Sequence, residues 1–274
     1  MNRLARWRPA PFLQASAVLH AGAATALLAS GGAGPLLFGG VSALLANHLA
    51  IAAAGLLPRC NWLGPVLTRL PADTGLRVAI TIDDGPDPEV TPRVLDLLAS
   101  RNAIATFFVI GEQARRHAAL TREIAARGHA VENHSEHHLN SFSLRGPATM
   151  AREIDAGRRT IADLTGLDSR FFRAPAGLKN VFLDPLLARR ELTLAAWTRR
   201  AYDTRCGDPD QVLARLTQGL SAGDILLLHD GNAAPTARGT PVILDVLPRL
   251  LDRLDAAGLT TGRLTTARLP GLSA

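Results

Sequence analysis

Four short segments concentrate side chains that handle protons and metal ions. Two aspartates adjoin in Thr81-Ile82-Asp83-Asp84-Gly85-Pro86. Successive strand residues point to opposite faces, so an adjacent pair normally serves two sides of a sheet. The Gly-Pro that follows forces a turn, which lets both carboxylates reach one site. His134 and His138 flank Ser135-Glu136-His137. Histidines at i and i+4 converge readily on one metal ion, and a carboxylate beside them completes a zinc-type set. Glu136 or His137 is the alternative to His138 as the second ligand from this loop. Arg173 lies in Phe171-Phe172-Arg173-Ala174-Pro175-Ala176-Gly177, placed to pair with a carboxylate, and the Pro-Ala-Gly turn can aim a backbone N–H inward. His229 follows the apolar run Leu226-Leu227-Leu228, a setting that suits a general acid or base. Each segment alone has a bland reading: an Asp-rich turn, a surface histidine loop, a surface arginine, a core histidine. Together they favour a metal site with acid–base groups beside it.

The elements that must position these residues are legible from periodicity. Short apolar runs at 77–83, 105–111, 130–133, 171–175, 192–198, 224–230 and 259–264 read as strands. Helical periodicity fills the intervals at 90–101, 113–127, 148–165, 181–190, 209–220 and 241–257. Such alternation implies parallel strands joined by helical crossovers. The expected fold is α/β, an incomplete or distorted (β/α) barrel of about seven parallel strands, with an open doubly wound sheet as the alternative. In either, ligands gather at the carboxyl ends of the strands, and all four chemical segments fall there.

Taken in order, Thr-x-Asp-Asp-Gly-Pro, His-Ser-x-x-His, Arg-x-Pro-x-Gly and Leu-Leu-x-His resemble the motifs of the polysaccharide deacetylase domain (NodB homology, carbohydrate esterase family four). The resemblance runs from about Arg77 to Leu264. It implies one divalent metal ion, normally zinc, on Asp84, His134 and His138. It further implies Asp83 as catalytic base, Arg173 as its tether, and His229 as general acid oriented by Asp203. The backbone N–H of Ala176 would complete an oxyanion hole. The implied activity is hydrolysis of N-linked (or O-linked) acyl groups, acetyl above all, from amino sugars of an oligo- or polysaccharide or a lipid-linked saccharide. The chain departs from the family pattern at three places. Ile82 replaces a frequent phenylalanine, and Ala176 stands where an aromatic residue is common. Around Asp203 the usual Asp-x-x-Asp-Trp reads Arg200-Ala201-Tyr202-Asp203-Thr204.

The N-terminal fifth is of another kind. Between Pro9 and Pro58 there is no Asp, Glu, Lys or Arg. A membrane span needs about 20 apolar residues, and segments 11–30 and 35–57 each provide that, separated by Gly31-Gly32-Ala33-Gly34. The expected organisation is a membrane-anchoring helical hairpin at 1–58, a linker at 59–76, the catalytic domain at 77–264 and a tail at 265–274. Arg3, Arg6 and Arg8 precede the first span, and Arg59, Arg69 and Arg77 follow the second. The positive-inside tendency therefore favours a cytoplasmic catalytic domain on the inner membrane. A signal peptide or single anchor, giving a periplasmic domain, is the alternative.

Net charge is +6, yet the arginines are dispersed pairs and Lys179 is the sole lysine. That pattern fits membrane lipids as partners and not nucleic acid. Cys60 and Cys206 provide neither a zinc framework nor a disulfide motif. Two rival functions are a glycan-binding protein with a deacetylase fold and no turnover, and a glycosidase that would leave the histidines idle.

Overall fold

The structure is a computed structural model that describes residues 7–29 and 35–265. The expected reversal at residues 31–34, Arg3 and Arg6, and the tail beyond residue 265 lie outside the described residues.

Two long apolar helices open the chain, α1 (Pro11–Ala29) and α2 (Pro35–Leu56). They pack against each other through a small polar seam, in which the Asn47 amide donates to the Ser16 hydroxyl at 2.9 Å and the His20 and His48 rings meet edge to face. The remaining surface of the pair is apolar and exposed, as at Val18 (73%) and Phe38 (76%).

The rest of the described chain alternates strands and helices: β1 (Arg77–Asp83), α3 (Thr91–Ala99), β2 (Ala105–Val109), α4 (Gly111–Arg116), α5 (Ala118–Ala126), β3 (Ala130–Asn133) and α6 (Pro147–Thr165). There follow β4 (Phe171–Phe172), α7 (Leu183–Ala188), β5 (Thr193–Leu194), β6 (Arg199–Arg200), α8 (Pro209–Thr217), β7 (Ile225–His229), α9 (Val242–Ala256) and β8 (Thr260–Thr261). The strands are parallel, in the order β5-β4-β3-β2-β1-β7-β6, with β8 on the start of β1. Seven strands in one curved path with helices outside form a half-barrel.

Strand alternation sorts the two faces. Val78, Ile80 and Ile82 of β1, Phe107 of β2 and Leu226 and Leu228 of β7 pack outward against the helices, in one core with α3 and α9. The intervening residues Ala79, Phe108, Ile225 and Leu227 face the interior with Trp197. Continuing that period to the strand ends places Asp83 and His229 on the interior face, and the register pairs them across β1 and β7.

Three expectations change. Segment 113–127 is two helices, because His117 takes a non-helical backbone (φ −119°, ψ 49°). Strand β6 falls in a charged run without an apolar signature. Residues 59–76, expected as a linker, run along the barrel: Leu67 bridges to Ala195, Arg69 bridges to Asp224, and Leu63 and Leu70 are buried. The segment thereby spans from β5 toward β7 on the open side of the half-barrel. Cys60 and Cys206 are both free.

Candidate active site

Asp83 ends β1 pointing into the barrel, and Asp84 would ordinarily point away. A left-handed backbone at Asp84 (φ 75°) returns its side chain to the same side. The turn is packed so tightly that a Cβ at Gly85 would collide with the Asp230 carboxylate. Asp230 is held by the Thr91 hydroxyl at 2.5 Å and the Gly231 N–H at 2.9 Å. Its burial pushes the carboxyl up to about 7. Asp230 therefore supports the Asp84 loop from behind, a task the sequence does not announce.

The histidine loop is equally determined. His134 leaves β3 and its Nδ1 lies 2.8 Å from the Arg173 carbonyl, which fixes the ring and leaves Nε2 for the site. Ser135, in left-handed conformation, accepts the His138 N–H at 3.0 Å, and the Asn133 side chain in turn accepts the Ser135 N–H at 2.9 Å. These contacts bring the His134 and His138 rings together, with centroids 4.8 Å apart and planes tilted by 60°. Glu136 and His137, the alternative ligands, are turned away. Glu136 is buried against Arg115 and Thr160, and His137 pairs with Glu153 at 2.8 Å.

Asp84 Oδ1 stands 3.3 Å from His134 Nε2 and 3.4 Å from His138 Nε2, and the three ligand atoms lie within 4.8 Å of one another. Asp84 Oδ1 is buried without a hydrogen-bond partner. An orphaned carboxylate oxygen is costly unless a cation satisfies it. Ligands bound at about 2.0–2.1 Å in tetrahedral array stand about 3.3–3.4 Å apart, which matches the Asp84–His134 and Asp84–His138 separations. The donor set therefore fits a small divalent ion. Burial would raise the Asp84 carboxyl, but His134, His229 and His138 together hold it well below the usual carboxylate range, in the form that ligates.

Arg173 is among the most deeply buried side chains. It donates to Asp83 Oδ1 at 2.6 Å, to the Thr81 hydroxyl at 2.9 Å and to the Ala196 carbonyl at 2.8 Å, and it lies 4.0 Å over the Phe108 ring. Its guanidinium thus fixes one oxygen of Asp83. The other, Oδ2, faces His134 Nε2 at 3.8 Å. Ala176 sits exposed at the tip of the following turn, with a left-handed backbone (φ 54°).

Asp203 is the residue on which the sequence pattern was weakest, and its geometry is firm. Its two oxygens take His229 Nδ1 at 2.9 Å and the His229 backbone N–H at 2.8 Å. Burial would lower the imidazole, but the Asp203 carboxylate, and at longer range Asp83 and Asp84, hold it up to about 9. Because this lies above the ordinary 6.5, the couple stabilises the fold fully below that pH, and the contribution is lost as pH rises through about 9. Asp84, Ser135, His138, Ala176, Tyr202 and Asn232 all carry positive φ. Such strain clusters where the surrounding structure over-determines a site. Asn232, unremarked in the sequence, contacts Asp84 Oδ2 at 3.3 Å.

Comparison with known proteins gives the lineage of the chain. The model of the polysaccharide deacetylase family matches residues 72–195. A peptidoglycan-N-acetylglucosamine deacetylase of Bacillus cereus is 32% identical over 175 residues, covering 63% of this chain and 81% of the relative. A chitooligosaccharide deacetylase of Sinorhizobium fredii is 34% identical over 155 residues, covering 56% and 72%. Among solved structures, a family 4 carbohydrate esterase from Streptomyces lividans in complex with acetate superposes with a TM-score of 0.62 at 29% identity, covering 69% of this chain and 92% of that one. A family pseudoenzyme from Bacillus anthracis shares the fold with a TM-score of 0.65 at 22% identity, covering 73% and 67%. Fold alone therefore does not decide turnover. Sequence similarity reaching four-fifths of a curated relative, together with the family match over residues 72–195, fixes the lineage: the chain belongs to the polysaccharide deacetylase family.

Proposed function

We propose that the protein is a metal-dependent N-deacetylase of N-acetylated amino sugars, anchored to a membrane by α1 and α2. The observation that carries this reading is the orphaned Asp84 Oδ1 between His134 Nε2 and His138 Nε2, with Asp83 beside it on Arg173. A divalent ion on Asp84, His134 and His138, zinc by donor type, supplies a Lewis acid for the acyl carbonyl and acidifies water.

The chain's own residues carry the remaining work. Asp83, held by Arg173, accepts the proton of the attacking water through its free oxygen. The water oxygen bonds to the carbonyl carbon, and the Ala176 N–H donates to the developing oxyanion. As the C–N bond breaks, His229 delivers its proton to the departing nitrogen. Its elevated pKa keeps it charged at neutral pH for that purpose. The products are a carboxylic acid and a free amine. The presence of Asp83, Asp84, His134, His138 and His229 in the sequence supports turnover over a non-catalytic binding role.

The direct test is acetate release by the full chain from chitooligosaccharides, peptidoglycan fragments and lipid-linked N-acetylglucosamine. Release that stops on chelation and returns with a divalent ion is expected. No release from any of the three, with metal bound, would overturn the reading. A second expectation concerns pH. His229 must be protonated to act, so activity should fall as pH rises through about 9. Asp203→Asn removes the group that raises it, and the alkaline limb should move toward the ordinary histidine range. An unmoved limb in the pH profile of kcat would remove Asp203 from this role.

For location, α1 and residues 38–56 of α2 are long and apolar enough to cross a bilayer. The arginines flanking both ends favour a cytoplasmic catalytic domain on the inner membrane. A C-terminal phosphatase fusion is expected to be inactive and a fluorescent-protein fusion bright. The reverse pattern would place the domain in the periplasm.

A further inference from the structure

The hairpin and the active site are joined by a seam that neither anchoring nor hydrolysis requires. The last carbonyls of an α-helix lack intrahelical partners. At the exit of α2 stands Lys179, the chain's sole lysine, whose ammonium donates to the carbonyls of the two residues just past the helix, Leu57 at 2.7 Å and Pro58 at 3.1 Å. The Lys179 backbone N–H donates to the Gly55 carbonyl at 3.1 Å. The approach is too close for side chains: a Cβ at Gly55 would stand 2.5 Å from the Lys179 carbonyl oxygen. Lys179 lies two residues beyond the Pro175–Gly177 turn that carries Ala176. Within that turn a Cβ at Gly177 would stand 2.7 Å from Trp197 and 2.8 Å from Pro58. The candidate oxyanion turn is therefore wedged against the exit of the second apolar helix. The start of α1 is held to the same side, by the Trp7 indole donating to Asp184 at 2.8 Å and by Phe12 against Trp62, ring centroids 5.0 Å apart.

Apolar side chains rim this seam. Phe182, two residues beyond Asn180, is 42% exposed, and Leu144 is 85% exposed. The Asn180 amide ties their two loops together by donating to the Ser143 and Arg145 carbonyls at 2.9 and 3.0 Å. Leu144 belongs to the same connection as His138, between β3 and α6. Leu57 and Trp62, both more than half exposed, complete the rim.

A 22-residue helix such as α2 is about 33 Å long, close to the hydrocarbon thickness of about 30 Å. With the hairpin in a bilayer, its exit lies at the headgroup level, and Lys179 holds the catalytic turn at that same level. From this we infer that the substrate is an N-acyl amino sugar carried on a membrane lipid, presented at the bilayer surface, with Lys179 as the positioning residue that sets the site's height. The inference rests on the deacetylase reading above and narrows it.

The test uses the full chain in lipid nanodiscs. Acetate release is measured from N-acetylglucosamine on a polyprenyl phosphate, from the same sugar on diacylglycerol, and from chitotetraose in solution. At least a tenfold higher kcat/KM for a lipid-borne sugar is expected, and the two tails reveal which lipid class serves. Lys179→Met should collapse that preference toward unity, chiefly through KM for the lipid-borne sugar, while Lys179→Arg retains most of it. Introducing charge at the rim with Phe182→Glu, which leaves the Lys179 contacts intact, should lower the preference independently. Equal kcat/KM for lipid-borne and soluble sugars, or a preference unmoved in Lys179→Met, would overturn this inference and leave the deacetylase reading intact. Absence of acetate from all three substrates with metal bound would overturn both.

Discussion

Asp83→Asn should lower acetate release by about a hundred- to ten-thousand-fold, the range that a positioned general base contributes. The substitution is nearly isosteric, and the asparagine carbonyl can still accept from Arg173, which reaches Asp83 Oδ1 at 2.6 Å. It removes the basic oxygen without touching Asp84, His134 or His138. The effect should therefore appear in kcat, with bound metal and sugar affinity retained. Single-turnover acetate release alongside sugar binding checks this. A variant that keeps more than a tenth of wild-type kcat would take the base role away from Asp83.

Arg173→Met should be the most damaging single change to the fold. Arg173 is only 1% exposed and donates to Asp83, Thr81 and two carbonyls of the strand-edge segment at 195–196. Methionine fills much of the volume and makes none of those bonds. Removing one partner of a buried ion pair costs about 3–5 kcal/mol, because the other charge is left uncompensated. Desolvation of the guanidinium offsets part of the pair's worth, as its lowered pKa through burial indicates. Lysine is a poor rescue, since an ammonium cannot reproduce the fork that spans a carboxylate, a hydroxyl and two carbonyls. Urea unfolding should show the midpoint falling sharply for Arg173→Met, and the double variant Arg173→Met/Asp83→Leu should recover part of the loss. Equal stability of Arg173→Met and wild type would mean that the pair is not a structural keystone.

Much of this site was legible because strands impose a period of two. Asp83, His134, Arg173 and His229 each stand at or just past a strand end, and alternation alone sends Asp83 and His229 to the interior. Asp84 was harder, since its place depends on a left-handed backbone that spacing does not encode. The motif pattern faltered at Asp203, where flanking residues differ from the family's habit. In three dimensions both Asp203 oxygens contact His229.

What the sequence hid has a common cause. Residues 59–76 carry two prolines and look like a connector, yet their backbone bridges to Ala195 and Asp224, far along the chain. Strand β6 is two arginines whose pairing to β7 is set by neighbours and not by propensity. Lys179 reads as an ordinary loop cation until α2 ends against it. Asp230 and Asn232 act through the Asp84 loop, and Ser135 and Asn133 through the histidine loop. In each case the decisive contact joins residues distant in sequence, which neither periodicity nor local composition can record.

The claim on which the rest depends is that Asp84, His134 and His138 share one cation. Metal analysis of the purified full chain, by mass spectrometry on protein of known concentration, tests it most directly. One divalent ion per chain is predicted, reduced to well under a tenth in Asp84→Ala/His138→Ala protein that still unfolds cooperatively. A cooperatively folded wild-type chain that takes up no ion when supplied with zinc, manganese or cobalt, or a double variant that keeps a full equivalent, would contradict it.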